Sequence, residues 1–140
     1  MWTQFMDMHS GGGQKEKWEY IYIEAPEEEA KVIFYNRFGH NPERVTCTCC
    51  GEDYSIREAK DLSRITAYER GCAYDSDNKE YIESPDDEYG FHKYVTLEEY
   101  ISTEGDEGIF SDTRLFIYAK DIKPEERVGG VPEQGYVWVD

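Results

Sequence analysis

The stretch Arg44–Gly51 contains three of the four cysteines of the chain. Cys47 and Cys50, with the glycine that follows, form a C-x-x-C-G turn. Such a turn is half of many zinc sites, because its backbone N–H groups point at the two thiolates. A closed site needs two more ligands, which the other cysteines and the three histidines could supply. The candidate metal ligands are Cys47, Cys50, His40 and Cys72.

Two further interpretations of the cysteine turn stay open. Free cysteines are among the most buried residue types, so the thiols could simply fill the interior of a strand. Alternatively they form a redox pair, or one is a nucleophile whose pKa is lowered by the N-terminus of the next helix. A helix predicted over residues 56–70, about 22 Å long, puts Cys72 at its far end and makes it a difficult fourth ligand. His40 is easier to bring to the turn.

A glycine-rich stretch near the N-terminus could bind an anion. Glycine allows close backbone approach, and a following lysine supplies positive charge. The stretch matches neither the P-loop nor the G-x-G-x-x-G pattern, and a turn between two strands is the simpler interpretation. No nucleophile elbow and no H-E-x-x-H motif is present, so we predict no catalytic residues. The candidate ligand-binding residues are His9, Ser10, Gly11, Gly12, Gly13 and Lys15.

The formal net charge of −16 is unevenly distributed. Residues 75–107 carry twelve acids and two bases, whereas residues 36–70 carry six of each. This surplus argues against direct binding to nucleic acid or to an anionic membrane. It favours a basic partner protein, or it serves solubility alone. The candidate partner-binding residues are Asp75, Asp77, Glu80, Glu83, Asp86, Asp87 and Glu88.

The composition predicts a single folded domain over residues 1–140, with an acidic loop region at 75–107. Twelve tyrosines and three tryptophans argue against a disordered acidic tail. Met1 is not followed by a signal-peptide pattern, and no apolar run approaches the ~18 residues of a membrane span. We therefore expect a cytoplasmic protein with reduced thiols.

The hydrophobic pattern predicts an α+β fold with a mostly antiparallel sheet of about five strands. Alternation predicts strands over residues 1–8, 18–23, 45–48, 91–95, 114–120 and 136–139, with a short edge strand at 81–82. Strand 18–23 is apolar on both faces, which indicates a central position.

Two main helices and a short one are predicted. Helix 26–38 starts at Pro26, has three glutamates in its first turn and stops at Gly39. Its buried stripe is predicted as Ala30, Ile33, Phe34 and Phe38. Capping boxes predict the helices 56–70 and 97–102. In the former, the predicted core contacts are Leu62, Ile65 and Tyr68.

Four segments of the sequence form a recognisable pattern: Met1–Phe5, Asp7–Gly13, Phe38–Pro42 and Val45–Gly51. Together they resemble a small protein family of tailed-bacteriophage genomes. The resemblance is good over about the first 60 residues and loose beyond them. The family has no assigned activity, so the resemblance implies a source and a location, the cytoplasm of an infected bacterium, but no mechanism.

The sequence therefore leads to one main functional hypothesis and two alternatives. The main one is a non-enzymatic phage accessory protein whose acidic face binds a basic host or defence factor, or a nucleic-acid-binding protein, in the manner of a DNA mimic. The first alternative is a protein that binds a small ligand or nucleotide, or an enzyme, using His9–Gly13 and the Cys47–Cys50 turn. The second is a virion or assembly component.

Overall fold

The structure is a computed structural model that describes residues 1–7, 18–43, 45–47, 54–82, 96–102, 114–131 and 137–139. Three α-helices are found in this part of the chain: α1 (Glu27–Phe38), α2 (Leu62–Ile65) and α3 (Leu97–Ser102). The strands are β1 (Trp2–Asp7), β2 (Tyr20–Ile23), β3 (Val45–Cys47), β4 (Tyr54–Ala59), β5 (Cys72–Tyr74), β6 (Glu80–Ile82), β7 (Arg114–Ile117) and β8 (Val137–Val139).

The main sheet has four strands in the order β4-β1-β2-β7. Strand β1 pairs antiparallel with both β2 and β4, and β2 pairs parallel with β7. Two small sheets accompany it, a parallel β3-β8 pair and an antiparallel β5-β6 hairpin. The predicted single-domain α+β fold is confirmed, and so is the central position of the strand predicted over 18–23.

Strand β2 is buried on both faces because its side chains alternate between two hydrophobic clusters. Ile21 and Ile23 contribute to the first cluster, together with Phe5 of β1. Tyr22 lies in the second cluster, together with Trp2 of β1. We call the two sides of the sheet the α1 side and the Tyr22 side.

Helix α1 covers the first cluster with the stripe that the sequence predicts. Ala30, Ile33 and Phe34 are fully buried, and the ring of Phe34 lies 4.7 Å from that of Phe5. The helix ends at Gly39, which has the positive φ of 79° that glycine adopts readily and donates its N–H to the Tyr35 carbonyl at 2.8 Å. The 3₁₀ helix Pro124–Arg127 packs on the exposed surface of α1 through an ion pair between Arg37 and Glu126 at 2.9 Å.

Helices α2 and α3 cover the Tyr22 side. Ile65 of α2 and Tyr100 of α3 are both buried in the second cluster. The ring of Tyr100 packs edge-on against Tyr22 and against Phe116, which lies opposite Tyr22 in the register of β2 and β7. The predicted short helix at residues 97–102 is confirmed.

The predicted helix over residues 56–70 is wrong. Its first part is strand β4, in which Ile56 pairs with Phe5 and Arg57 with Gln4. Tyr54 and Ile56 alternate with polar residues, and pairing along β1 buries this period-two pattern despite the capping-box match. The short helix α2 starts later, where the Asp61 side chain accepts a hydrogen bond from the Arg64 N–H at 2.8 Å.

Three smaller predictions are corrected or lie outside the described residues. Tyr68 is not a core residue, since its side chain is 68% exposed in the turn after α2. The strand predicted over 114–120 stops at Ile117, and a 3₁₀ helix, Ala119–Asp121, follows it. The strand predicted over 91–95 lies outside the described residues. Among the described residues, no helix has both the length and the apolar character needed to cross a membrane.

Replacing Phe34 by Ala tests the packing on the α1 side. We expect a loss of about 3–5 kcal/mol in the free energy of unfolding, because the ring is buried between α1 and the sheet. Urea denaturation measures this change. The control Val128→Ala removes an exposed side chain and should change stability by less than about 0.5 kcal/mol. Equal effects of the two substitutions would contradict the packing described above.

Candidate functional site

The β5-β6 hairpin carries the acidic residues at the start of the region 75–107. Its turn is held by Asp75, whose side chain accepts hydrogen bonds from the backbone N–H groups of Asp77 and Lys79, each at 2.9 Å. Asn78 has a φ of 62°, a left-handed conformation that asparagine tolerates better than most residues. The turn is therefore specified locally, by an aspartate and an asparagine at the positions that need them.

A fully buried arginine joins this hairpin to the turn after α2. The Arg70 side chain is 0% exposed, and its guanidinium donates to a Glu80 carboxylate oxygen at 2.5 Å. It also donates to the Thr66 hydroxyl at 2.9 Å and to the Ser63 carbonyl at 2.7 Å. A buried guanidinium is stable only when its N–H groups have such acceptors, so β6 is fixed to the α2 segment by charge as well as by strand pairing.

The same carboxylate is shared by two side chains of β5. The Cys72 thiol lies 3.3 Å from the Glu80 oxygen and 3.4 Å from the Ala67 carbonyl, and the Tyr74 hydroxyl donates to Glu80 at 3.3 Å. The Tyr74 hydroxyl also forms a short hydrogen bond with the hydroxyl of Ser63. Glu80 is thus the common acceptor of an arginine, a thiol and a phenol.

These contacts determine the charge states of Arg70 and Glu80. The hydrogen bond from Arg70 lowers the pKa of Glu80 below its ordinary value, and the Cys72 and Tyr74 hydrogen bonds act in the same direction against the effect of burial. Burial alone would lower the pKa of Arg70, but its hydrogen bond to Glu80 and the charges of Cys72, Glu80 and Tyr74 together outweigh this effect, and the pKa is raised. Both groups therefore stay charged at neutral pH, which suits an internal anchor and not a proton carrier.

A second polar network connects the sheet to the same α2 segment. Arg57 on β4 donates to the side-chain oxygen of Gln4 at 2.9 Å and to both carboxylate oxygens of Glu69 at 3.1 Å. Gln4 in turn donates to Glu69 at 2.9 Å and to the Tyr22 hydroxyl at 3.1 Å. The side chains of Gln4, Arg57 and Glu69 thus satisfy one another.

Tyr22 connects this hydrogen-bond network to α3. Its hydroxyl lies 2.7 Å from the Tyr100 hydroxyl, and Arg114 of β7 stacks on the Tyr100 ring at 3.8 Å while donating to the Tyr100 carbonyl at 2.7 Å. Burial raises the pKa of Tyr22 well above 10.0, and the neighbouring Tyr100 and Glu69 raise it further. At neutral pH this phenol is uncharged, so the network positions α3 and does not supply a base.

The described acidic residues of the region 75–107 fall into two groups. Asp75 and Glu80 have intramolecular roles, in the hairpin turn and in the Arg70 anchor. Asp77 on the hairpin and Glu98 on α3 are exposed to solvent. The remaining predicted partner-binding residues, Glu83, Asp86, Asp87 and Glu88, lie outside the described residues, so a contact between any of the seven and a partner stays a prediction.

The predicted metal ligands are only partly described. Cys47 ends strand β3 and pairs with Val139 of β8, whereas Cys72 begins β5 in a different small sheet. His40 follows the C-terminal glycine of α1, and Cys50 lies outside the described residues. Within the described ranges, no three His, Cys, Asp or Glu side chains are grouped so that they could hold a metal ion. The zinc site stays a prediction, and the helix argument against Cys72 no longer applies because residues 54–59 form a strand.

The predicted ligand-binding stretch lies outside the described residues, and it comprises His9, Ser10, Gly11, Gly12, Gly13 and Lys15.

Comparison of the chain with protein-family models, with curated proteins and with solved structures gave no match.

Sequence reasoning missed the residues that organise this site: Gln4, Arg57, Glu69, Arg70 and Tyr100. The hydrogen bonds from Gln4 to Glu69 and from Tyr22 to Tyr100 join residues 65 and 78 positions apart. Residues so distant leave no periodic signal. One hint was available for Arg70, because the segment between it and Glu80 contains turn residues that bring a base and an acid together across a hairpin.

Replacing Glu80 by Gln tests the Arg70 anchor. The substitution leaves a buried guanidinium without its anion, and we expect a loss of about 2–3 kcal/mol in the free energy of unfolding at pH 7. The matched control is Glu43→Gln, which removes a carboxylate that is 54% exposed and pairs with Lys31 at 2.9 Å. That exposed pair should contribute less than about 1 kcal/mol. Urea denaturation of the two variants measures both losses.

The pH dependence of the stability difference between wild type and Glu80→Gln tests whether the charge of Glu80 causes the difference. Because the pKa of Glu80 is lowered in the folded protein, its stabilising effect is complete above the ordinary pKa of 4.5 and is lost as the pH falls through the folded-state pKa. The stability difference between wild type and Glu80→Gln should be constant from pH 7 to about pH 5 and should shrink below about pH 4.5. A difference that does not change down to pH 3 would show that packing, and not charge, is responsible.

Proposed function

We propose that this protein is a non-enzymatic binding protein whose acidic Tyr22 side takes a basic partner protein. One observation carries the proposal: α3 packs on the Tyr22 side of the sheet, and the β5-β6 hairpin is joined to the α2 segment, which covers the same side. The hairpin is attached through Ser63, Arg70 and Glu80, and α3 through Tyr100. The residues that join them in the chain, 83–95, add four acids and one lysine.

Three of the bases on the Tyr22 side interact with other groups of the protein, whereas Lys79 in the hairpin turn is exposed. Arg70 is buried against Glu80, Arg57 is paired with Glu69, and Arg114 lies over the ring of Tyr100. Carboxylates such as Asp77 and Glu98, in contrast, are exposed. This arrangement leaves negative charge at the surface and speeds association with a positively charged protein.

On the α1 side, by contrast, carboxylates meet bases at the surface. Arg37 pairs with Glu126, Arg127 with Glu29, and Lys31 with Glu28 at 3.2 Å. Residues 119–131 contain three acids and three bases. A basic partner is therefore attracted more strongly to the Tyr22 side than to the α1 side.

The partner that suits this proposal is a host or defence factor of a bacterium, and one that binds nucleic acid is the natural target of an acidic surface. The resemblance to a tailed-phage family supports this context. The first alternative, a small-ligand protein or enzyme, draws on His9–Gly13 and the Cys47–Cys50 turn, most of which lies outside the described residues. The second, a virion or assembly component, draws on no particular residues. They stay predictions.

A pair of matched double variants tests the proposal. Asp77→Asn with Glu98→Gln removes two exposed charges from the Tyr22 side, and Asp121→Asn with Glu125→Gln removes two from the α1 side. Immobilised wild type should retain a basic protein from bacterial lysate at about 50 mM NaCl and release it at about 500 mM, where charges are screened beyond ~3–5 Å.

The first double variant should retain several-fold less of the same protein, and the control variant should retain as much as wild type. Quantitative mass spectrometry of the eluates measures the difference. Retention that is insensitive to salt, or equal losses for the two double variants, would contradict binding through the Tyr22 side.

A further inference from the structure

Exposed apolar side chains coincide with the acidic segments of this protein. Among the described residues, the large hydrophobic side chains with more than a third of their surface exposed include Tyr68, Tyr81 and Ile82, in and beside the β5-β6 hairpin, and Ile101 on α3. Tyr81 is 49% exposed and Ile82 is 43% exposed. Comparable exposure is also found outside the acidic segments, at Met1 and at Val128 beside α1, so the position of Tyr81 in the hairpin is what distinguishes it.

The pleat of the hairpin separates an anchoring face from a free face. Directly opposite residues of an antiparallel pair share a face. Tyr74 and Glu80 are such a pair, and both contact the α2 segment, through Ser63 and Arg70. The next pair, Ala73 and Tyr81, must therefore lie on the opposite face, directed away from α2.

Tyr81 consequently lies on the outer face of a hairpin whose backbone is held in place. The Arg70–Glu80 ion pair and the Asp75 turn hold the turn end of the hairpin, and the Cys72 thiol contacts the Ala67 carbonyl at the other end, so little backbone freedom remains to be lost on binding. Rigid tyrosines with such surroundings are frequent energetic centres of protein interfaces. The turn of the hairpin carries the exposed Asp77 and one exposed base, Lys79, and the net charge of −10 over residues 75–107 adds selectivity for positive charge.

We infer that the outer face of the β5-β6 hairpin, with Tyr81 as its anchor, binds a segment of a basic protein in which apolar side chains stand next to Arg or Lys. A ring beside carboxylates accepts a guanidinium by cation–π contact and ion pairing together, and accepts an aliphatic side chain by burial. The net charge of −10 over residues 75–107 repels nucleic acid and anionic lipid, which selects a protein as the occupant. The inference rests on the proposed function and specifies its partner.

Two synthetic peptides of equal charge serve as probes. One alternates Arg with Leu, and the other alternates Arg with Ser, with the same number of arginines. Fluorescence anisotropy with the full chain measures both affinities at about 50 mM, 150 mM and 500 mM NaCl, since salt screens only the ionic part of binding. We expect the Arg-Leu peptide to bind about tenfold more tightly than the Arg-Ser peptide, and the ratio to persist at high salt.

The substitution Tyr81→Ser should reduce this ratio to less than about threefold. The matched control Val128→Ser removes another exposed apolar side chain, 65% exposed beside α1, and should leave the ratio unchanged. A measurement on wild type does not depend on the folding of any variant: the Arg-Leu peptide should shift the backbone amide resonances of Ala73 and Tyr81 more than those of α1.

The possible outcomes separate the two proposals. Equal affinities for the two peptides would overturn the inference and leave the acidic binding surface intact. A tenfold ratio that survives Tyr81→Ser, or shifts centred on α1, would also overturn it. Failure of both peptides to bind at about 50 mM NaCl would contradict the proposed function itself, because charge attraction is strongest there.

Discussion

The structure of the Tyr22 side depends on the need to satisfy a buried guanidinium. Arg70 is 0% exposed, and an arginine in that position must have an anion and further acceptors or the fold loses several kcal/mol. Glu80 supplies the anion, and Thr66 and Ser63 supply the other acceptors. Because these groups come from α2, the turn after it and β6, satisfying one side chain fixes the orientation of the hairpin relative to the α2 segment.

That orientation determines where the charge of the protein is exposed. The inner face of the hairpin uses the carboxylate of Glu80, and the turn uses the carboxylate of Asp75, so these acids hold the structure together. Asp77 and the acids of α3 are left for the surface. The same constraint turns Tyr81 outward, since Glu80, which precedes it in the strand, faces Arg70. Charge and an aromatic anchor thus reach solvent together, as a consequence of one internal ion pair.

Local features of the fold could be predicted from the sequence, and long-range ones could not. The stripe of α1, its glycine stop and the alternation of β2 are patterns within a few residues, and each is observed. The prediction of a helix over residues 56–70 was wrong because a capping-box match at Ser55 competed with a period-two pattern. Only pairing with β1 stabilises that pattern as a strand. The polar networks were invisible for a similar reason, since Gln4 meets Arg57 and Glu69 only after the strands have paired.

Negative potential should be concentrated on the Tyr22 side of the sheet. Paramagnetic relaxation measures the local electrostatic potential residue by residue. A cationic and an anionic nitroxide of the same size are added separately to the protein, and the ratio of their effects on each amide proton gives the local surface potential. We predict a more negative potential at residues 75–82 and 96–102 than at residues 27–38 and 119–128, by an amount that shrinks as salt is added. Equal potentials on the two sides of the sheet would contradict the account.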